Sequence, residues 1–285
     1  MDDENPDEDV DRLARVFDDQ FQLGHAASLD TTIEEMDVLY EDDHLLAIDK
    51  PAGVVVHPTY KNKTGTVLDA LLVAAQGWPP EARPSIVGRL DKLTSGIVVV
   101  AKSAAMHAAL QRAMASSESE KDYLAVVYGR VDEQRGAIDL PLRHDPRDRR
   151  MMVASSSGGG APRAWTNAGQ TSLTRFERLA TVDAPDTGLS LLRVRLVTGR
   201  RHQIRVHLSA RGWPIVGDPQ YGEPRWSQIV DPTLAAVLQA FPRQALHAWR
   251  TAFTHPVTRE RLAIEAPVPR DLEDLLAASG LARYG

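Results

Sequence analysis

Asp91 is the carboxylate around which chemistry can be built. It stands in Gly88-Arg89-Leu90-Asp91-Lys92-Leu93-Thr94-Ser95-Gly96, directly before Ile97-Val98-Val99-Val100. Four branched apolar residues in a row read as a strand buried on both faces, which puts Arg89 and Asp91 at the rim of a core. A carboxylate desolvated there needs a partner, because burying it alone costs several kcal/mol. Other chemistries fit the residues less well. Nine histidines invite a metal site, yet His202 and His207 stand five apart, which points them away from each other on a helix, and His-Glu-x-x-His does not occur. Thr94-Ser95-Gly96 lacks the Gly-x-Ser-x-Gly turn of a serine nucleophile. Gly158-Gly159-Gly160 is followed by neither Lys-Ser/Thr nor a helix start, so it reads as a flexible loop and not a phosphate cradle. A glycosidase-like pairing of Asp91 with Asp122, Asp139 or Asp218 stays open, since the spacing selects none of the three.

The formal net charge of −6 argues against a polyanionic partner only until its distribution is read. Residues 1–50 hold 17 Asp and Glu against 3 Lys and Arg, a net of −14, and the other 235 hold 22 against 30, a net of +8. From Thr187 to Gly217 there is no acid, while Arg193, Arg195, Arg200, Arg201, Arg205 and Arg211 fall inside the stretch. A patch of one sign suits a polyphosphate ligand. The chain has no cysteine, which excludes disulfides and thiolate metal sites and fits a reducing compartment. No run approaches the ~20 apolar residues of a membrane span, and the expectation is a soluble, cytoplasmic monomer.

The elements that must position Asp91 follow from pattern. Residues 1–36 open on a block of like charge and are expected to be a disordered acidic extension, with one domain over 37–285. Asp37 to Glu41 and Leu45 to Asp49 read as a hairpin turning at Asp42-Asp43-His44, and Val54 to Pro58 as a further extended run. Thr66 to Gln76 and Ser103 to Ala115 read as helices, and Lys121 to Gly129 as a strand. Residues 143–162 are expected to be one long mobile loop. Leu191 to Val197 alternates apolar and Arg, a strand with one wet basic face, and Arg200 to Leu208 reads as the helix that carries Arg205. Leu246 to Arg250 and Leu262 to Glu265 close as strands, and Asp271 to Ser279 as a helix. Strands and helices mix without a strict βαβ alternation, so the fold class is α+β with a mixed, largely antiparallel central sheet flanked by helices and loops.

With these residues in place, a resemblance emerges. Arg89-Leu90-Asp91-Lys92-Leu93-Thr94-Ser95-Gly96 resembles the Arg-Leu-Asp-x-x-Thr-Ser-Gly signature of the RluA-type RNA pseudouridine synthases. Tyr40 to Leu46 with Lys50-Pro51-Ala52-Gly53 and Val56-His57-Pro58 is similar to that family's opening, and Lys121-Asp122-Tyr123-Leu124-Ala125 to its tyrosine motif. Thr198-Gly199-Arg200-Arg201-His202-Gln203-Ile204-Arg205-Val206-His207 resembles its third motif, and Leu246-His247-Ala248 with Phe253-Thr254-His255-Pro256 its last. The resemblance implies a central cleft in which uridine of rRNA or tRNA is detached at N1, turned and rejoined through C5, with no metal and no organic cofactor. It implies that Asp91 is the essential carboxylate, attacking C1′ or removing a sugar proton, with Arg205 as its ion partner. Tyr123 would stack on the base and help remove the C5 proton. Arg89 would fill the space left by the extruded base or hold phosphate. Arg200, Arg201, His202 and Gln203 would contact backbone and frame the pocket, and Leu246 would wall it.

An arginine beside a carboxylate favours the ionised form, and a guanidinium is expected to grip Asp91 bidentately where a lysine would not. Base extrusion costs a few kcal/mol. Two departures from the family stand out. Gly88 replaces a common His and is expected to loosen the loop or alter a contact to RNA, and residues 1–36 are too short and too acidic for the S4 RNA-binding domain of many relatives. Two other classes remain to be separated by product: a non-catalytic RNA-binding protein, which leaves uridine unchanged, and a nucleoside N-glycosidase, which leaves an abasic site.

Overall fold

In the computed structural model the described residues are 36–155, 169–182, 188–222 and 225–284. The acidic residues 1–35 and the run Gly158 to Gly160 lie outside them. Met36, assigned by sequence to the extension, is buried at 2% exposure.

The chain enters the core through the expected hairpin, strands β1 (Val38–Glu41) and β2 (Leu45–Lys50). Its turn is set by Asp42, whose Oδ1 accepts from the backbone N–H groups of His44 at 2.7 Å and Leu45 at 2.8 Å. Residues 54–58 form no strand. The carbonyls of Val55 and Val56 instead accept the first N–H groups of helix α1 (Val67–Ala74), which also carries a Thr66/Asp69 capping box. Such capping satisfies donors that a helix start leaves without intrahelical partners.

After the short strand β3 (Ser85–Val87) comes β4 (Ser95–Ala101), buried at all seven positions as the apolar run requires. Helix α2 (Ala104–Ala115), capped by Ser103, lays Met106 and Leu110 on it. Strands β5 (Glu120–Tyr128), β6 (Arg135–Asp139), β9 (Leu173–Val182), β10 (Leu189–Leu196), β11 (Leu246–Thr254) and β12 (Arg261–Glu265) complete the sheet. Among the described residues ten strands join it, in the order β1-β2-β4-β11-β5-β10-β9-β6, with β12 on β11 and β3 on β4. Every pairing is antiparallel but one: β11 runs parallel to β4, over His247 with Ser95 and Ala248 with Gly96. Helices α3 (Gln203–Ala210), α4 (Pro232–Ala240) and α5 (Arg270–Ala278) contribute Ile204, Leu208, Leu238, Leu272 and Leu275 to the larger core cluster around β5 and β10.

Three local expectations change. Part of the loop expected over 143–162 is a hairpin of two short strands, β7 (Leu142–His144) and β8 (Met152–Ala154). The helix begins at Gln203 and not at Arg200, because His202 takes a left-handed φ of 54°. The basic face of β10 is largely compensated. Arg193 and Arg195 both close on the buried Asp122, at 2.5 and 2.6 Å, and Glu120 pairs with Arg195 at 2.9 Å and with Arg250. Arg211 pairs with Glu133 at 2.6 Å. Of the six arginines in the acid-free stretch, the two left exposed and without an ion pair within 4 Å among the described residues are Arg200 and Arg201.

Candidate active site

The site forms where the start of β11, paired parallel to β4 on one side and antiparallel to β5 on the other, meets the turn before β4. Asp91 sits in the turn before β4, closed by the Thr94 N–H donating to its carbonyl at 3.0 Å. The turn is held from three sides. Lys50, fully buried, donates from Nζ to the carbonyls of Pro51 at 2.7 Å, Val54 at 3.0 Å and Lys92 at 3.3 Å, and the Gly53 N–H adds a bond to Lys92 at 2.8 Å. Burial and the nearby Arg243 charge push the Lys50 ammonium down to about 7, against the raising effect of Asp91 and Asp49. Gln244 Nε2 donates to Thr94 Oγ1 at 3.0 Å, and Arg243, itself paired with Asp271, donates to the Leu93 carbonyl at 3.4 Å. Gly96 admits the close strand crossing: its φ is +112°, and a Cβ there would lie 2.3 Å from the Ala248 carbonyl oxygen. Gly88, where the family commonly has His, adopts φ +86°, a region in which an L side chain is strained.

Arg205 on α3, 3% exposed, reaches Asp91 with Nη1 donating to Oδ2 at 2.8 Å. The expected bidentate grip on Asp91 is not what forms. The fork of the guanidinium closes on Asp218, Nε to Oδ2 at 2.7 Å and Nη2 to Oδ1 at 2.8 Å, and Nη2 also reaches Gln220 Oε1 at 2.9 Å. Asp91 receives the one remaining direction, because Asp218 is carried to the Nε edge by a turn in which its Oδ1 accepts the N–H groups of Gln220 and Tyr221. Burial opposes both charges of the inner pair. The Arg205 hydrogen bonds outweigh it and hold Asp218 below the usual carboxylate range, and Asp218 together with Asp91 holds Arg205 above its ordinary value. Asp91 Oδ1 accepts no hydrogen bond among the described residues, and His202 Nε2 stands 3.8 Å from it.

Tyr123 on β5 and Leu246 at the start of β11 line the same recess as Asp91, Arg205 and His202. Burial, with the Asp91 charge behind it, pushes the Tyr123 phenol up. Gln203, expected among the residues that contact backbone and frame the pocket, lines the recess. Buried at 2% exposure, it accepts from Thr198 Oγ1 and the Arg200 N–H and donates to the Leu173 carbonyl and Thr174 Oγ1, so its amide is fully used in framing the turn before α3. His207 points away from His202, as the spacing required, into contact with Thr174 Oγ1 and the Leu140 carbonyl.

The recess opens to a groove of about 1000 Å³ whose walls include Lys61, Arg89, Lys92, Arg150, Arg200 and Arg201. Arg89 is exposed at its mouth. Asp218, Tyr221 and Lys50 complete the site without being singled out by sequence. Lys50 falls in a quoted motif and Asp218 was weighed as a partner acid, but Tyr221 carries no signal until α3 and the following turn fold together.

The comparisons agree with this geometry. The sequence profile described as RNA pseudouridylate synthase matches residues 44–210. The chain is 42% identical over 255 residues to the ribosomal large subunit pseudouridine synthase D of Xanthomonas campestris pv. campestris, covering 89% of this chain and 71% of that protein. It is 40% identical over 245 residues to the protein of the same name from Pseudomonas aeruginosa, covering 85% and 71%. The solved structure of human RNA pseudouridylate synthase domain containing 1 superposes with a TM-score of 0.64 at 26% identity, covering 87% of this chain and 89% of that one. No helix among the described residues is long and apolar enough to cross a membrane. A motif series that converges on one recess and relatives matched across most of the chain place this protein in the RNA pseudouridine synthase family, isomerases that convert uridine in RNA to pseudouridine.

Proposed function

We propose that this chain isomerises uridine in large-subunit ribosomal RNA, with Asp91 as the essential carboxylate. The observation that carries the reading is the Asp91–Arg205 pair at 2.8 Å, set in the floor of a cation-walled groove with Asp91 Oδ1 open. Attack on C1′ and removal of a sugar proton both need such an oxygen, ionised, oriented and not closed off by a hydrogen bond or a second ion pair. Tyr123 and Leu246 supply a flat and an apolar wall for an extruded uracil, and Arg89 at the mouth is placed to enter the vacated stack or hold phosphate. Arg200 and Arg201, along the same wall, are sequence-blind phosphate contacts. The ribosomal target rests on the names of the relatives.

A binding protein without turnover has no use for an ionised carboxylate among phosphates, since it repels the ligand. Pseudouridine mapping in large-subunit rRNA, with and without the gene, tests the proposal. The expected result is loss of pseudouridine at one or more sites on deletion and its return on complementation. An unchanged map in rRNA with sites lost from tRNA would move the substrate, and an abasic product would replace isomerisation by glycosidase chemistry.

A further inference from the structure

Two residues beside Asp91 are unused by the account so far: Tyr221, and the imidazole of His202 as distinct from its position on the groove wall. Their hydrogen bonds form a chain. The Met152 N–H, on β8, donates to Tyr221 Oη at 2.8 Å. Tyr221 Oη lies 2.7 Å from His202 Nδ1. A phenol oxygen can accept twice, so the Met152 bond alone leaves the direction open; donation to Nδ1, the one acceptor within reach among the described residues, is the arrangement that gives the phenol proton a protein partner. An imidazole that accepts at Nδ1 carries its proton at Nε2. Nε2 is the nitrogen that faces Asp91 Oδ1, at 3.8 Å.

We infer that Tyr221 is a positioning residue that locks His202 as the neutral Nε2–H tautomer, so that an N–H dipole, and neither a lone pair nor a full charge, faces the reactive oxygen of Asp91. The inference rests on Asp91 being the catalytic carboxylate. Each alternative state of the ring is worse for that oxygen. The opposite tautomer sets the Nε2 lone pair against those of Oδ1. The imidazolium forms a second ion pair with a carboxylate that Arg205 already holds and draws in the oxygen that must react. The neutral N–H orients Oδ1 while Arg205 holds Oδ2, leaving its charge uncompensated on that side. The left-handed backbone of His202, φ 54°, is what aims the ring across the recess, and backbone strain of this kind persists where surrounding structure enforces it.

The groups around the ring agree. Asp91 approaches from the turn before β4, Asp218 and Tyr221 from the turn after α3, Arg201 and Arg205 from its own segment, and Asp148 with Arg150 face it across the groove from the β7–β8 turn. Burial first, then Arg205 and Arg201 against Asp91 and Asp218, hold the imidazole below its ordinary value. Tyr221 also packs edge-on to His202 at 5.5 Å and under Arg205 at 4.9 Å, contacts that phenylalanine keeps. Tyr221→Phe therefore removes the hydroxyl and little else.

The test reads tautomer and rate separately. Nitrogen-15 NMR of the imidazoles, with His202 assigned by His202→Gln, should find His202 protonated at Nε2 alone near neutral pH in the wild type and a tautomer mixture in Tyr221→Phe. Single-turnover pseudouridine formation by Tyr221→Phe should fall about tenfold near pH 6 and about threefold or less near pH 8, the size expected for one lost hydrogen bond that also favoured the neutral ring. The acid limb of the profile should move up in Tyr221→Phe and lose its His202 component in His202→Gln. A wild-type His202 protonated at Nδ1 or as imidazolium overturns the inference, as does a Tyr221→Phe enzyme with unchanged tautomer or unchanged pH profile. An active Asp91→Asn enzyme would instead remove the catalytic reading on which this one stands, whatever the NMR result.

Discussion

Asp218→Asn is the perturbation that separates the two carboxylates on Arg205. Asparagine keeps the shape of the side chain, and its Oδ1 can still accept the Gln220 and Tyr221 N–H groups at 2.9 and 3.0 Å, so the turn is retained. What is lost is the bond from Nε to Oδ2 at 2.7 Å, where an amide N–H2 now faces the guanidinium, and the charge behind the bond from Nη2 to Oδ1 at 2.8 Å, between side chains 1% and 4% exposed. Each such bond contributes about 1.5–3 kcal/mol, and removing one partner of a buried pair costs about 3–5 kcal/mol, so urea unfolding should report a loss of about 3 kcal/mol. Catalysis should fall for a second reason. Two carboxylates on one guanidinium leave a net negative charge with Asp91 Oδ1 open; with asparagine at 218 the guanidinium charge is matched by Asp91 alone and its fork is free to turn and engage both oxygens. A single-turnover rate about 10–100-fold lower corresponds to about 1.4–2.8 kcal/mol in the barrier. A variant within 1 kcal/mol of wild-type stability and about twofold of its rate would refute the shared-arginine argument.

Gly96→Ala should destabilise the fold by roughly 3 kcal/mol or more, seen as a lowered Tm or loss of soluble protein, because the new Cβ meets the backbone of Ala248 at 2.3 Å. Wild-type stability would mean that β4 and β11 do not cross as described. Lys50, down at about 7 in the fold and near 10.4 when unfolded, makes the unfolded chain bind more protons between those values. Its contribution therefore raises stability as pH rises from about 7 to about 10, and Lys50→Met should flatten that slope in urea unfolding at the two ends of the window. An unchanged slope would mean that the three carbonyls keep the ammonium charged throughout. Arg201→Ala should weaken RNA binding uniformly across sequences and reduce the slope of log K against log salt by about 1 in filter binding. An unaltered slope takes Arg201 off the phosphate path.

The sequence placed Asp91, Tyr123, Arg205 and Leu246 in one recess correctly, and it did so through motif resemblance. Spacing alone left Asp91 with three candidate partner acids. Local pattern found β4, β5, both ends of the β1–β2 hairpin and α5, because runs of apolar residues and caps act over a few positions. It failed where the outcome depends on what lies across space. The fork of Arg205 goes to Asp218 because a turn thirteen residues on presents two backbone N–H groups to that carboxylate. The basic face of β10 became compensated because Asp122, on a strand some seventy residues earlier, pairs directly opposite Arg195. Strands β7 and β8, three residues each, carry too few alternations to stand out from a polar loop. His202 reads as the first turn of a helix, whereas its φ is 54° and the Gln203 side chain accepts from Thr198 and the Arg200 amide in the turn before it.

The central claim is that one carboxylate, Asp91, carries the isomerisation. Purified wild type and Asp91→Asn should be compared on large-subunit rRNA labelled with tritium at uridine C5, following tritium release and pseudouridine together with RNA affinity. Wild type should release tritium with matching pseudouridine, and Asp91→Asn should bind RNA within a few-fold while releasing none above background. Release by Asp91→Asn at a rate near wild type would contradict the account.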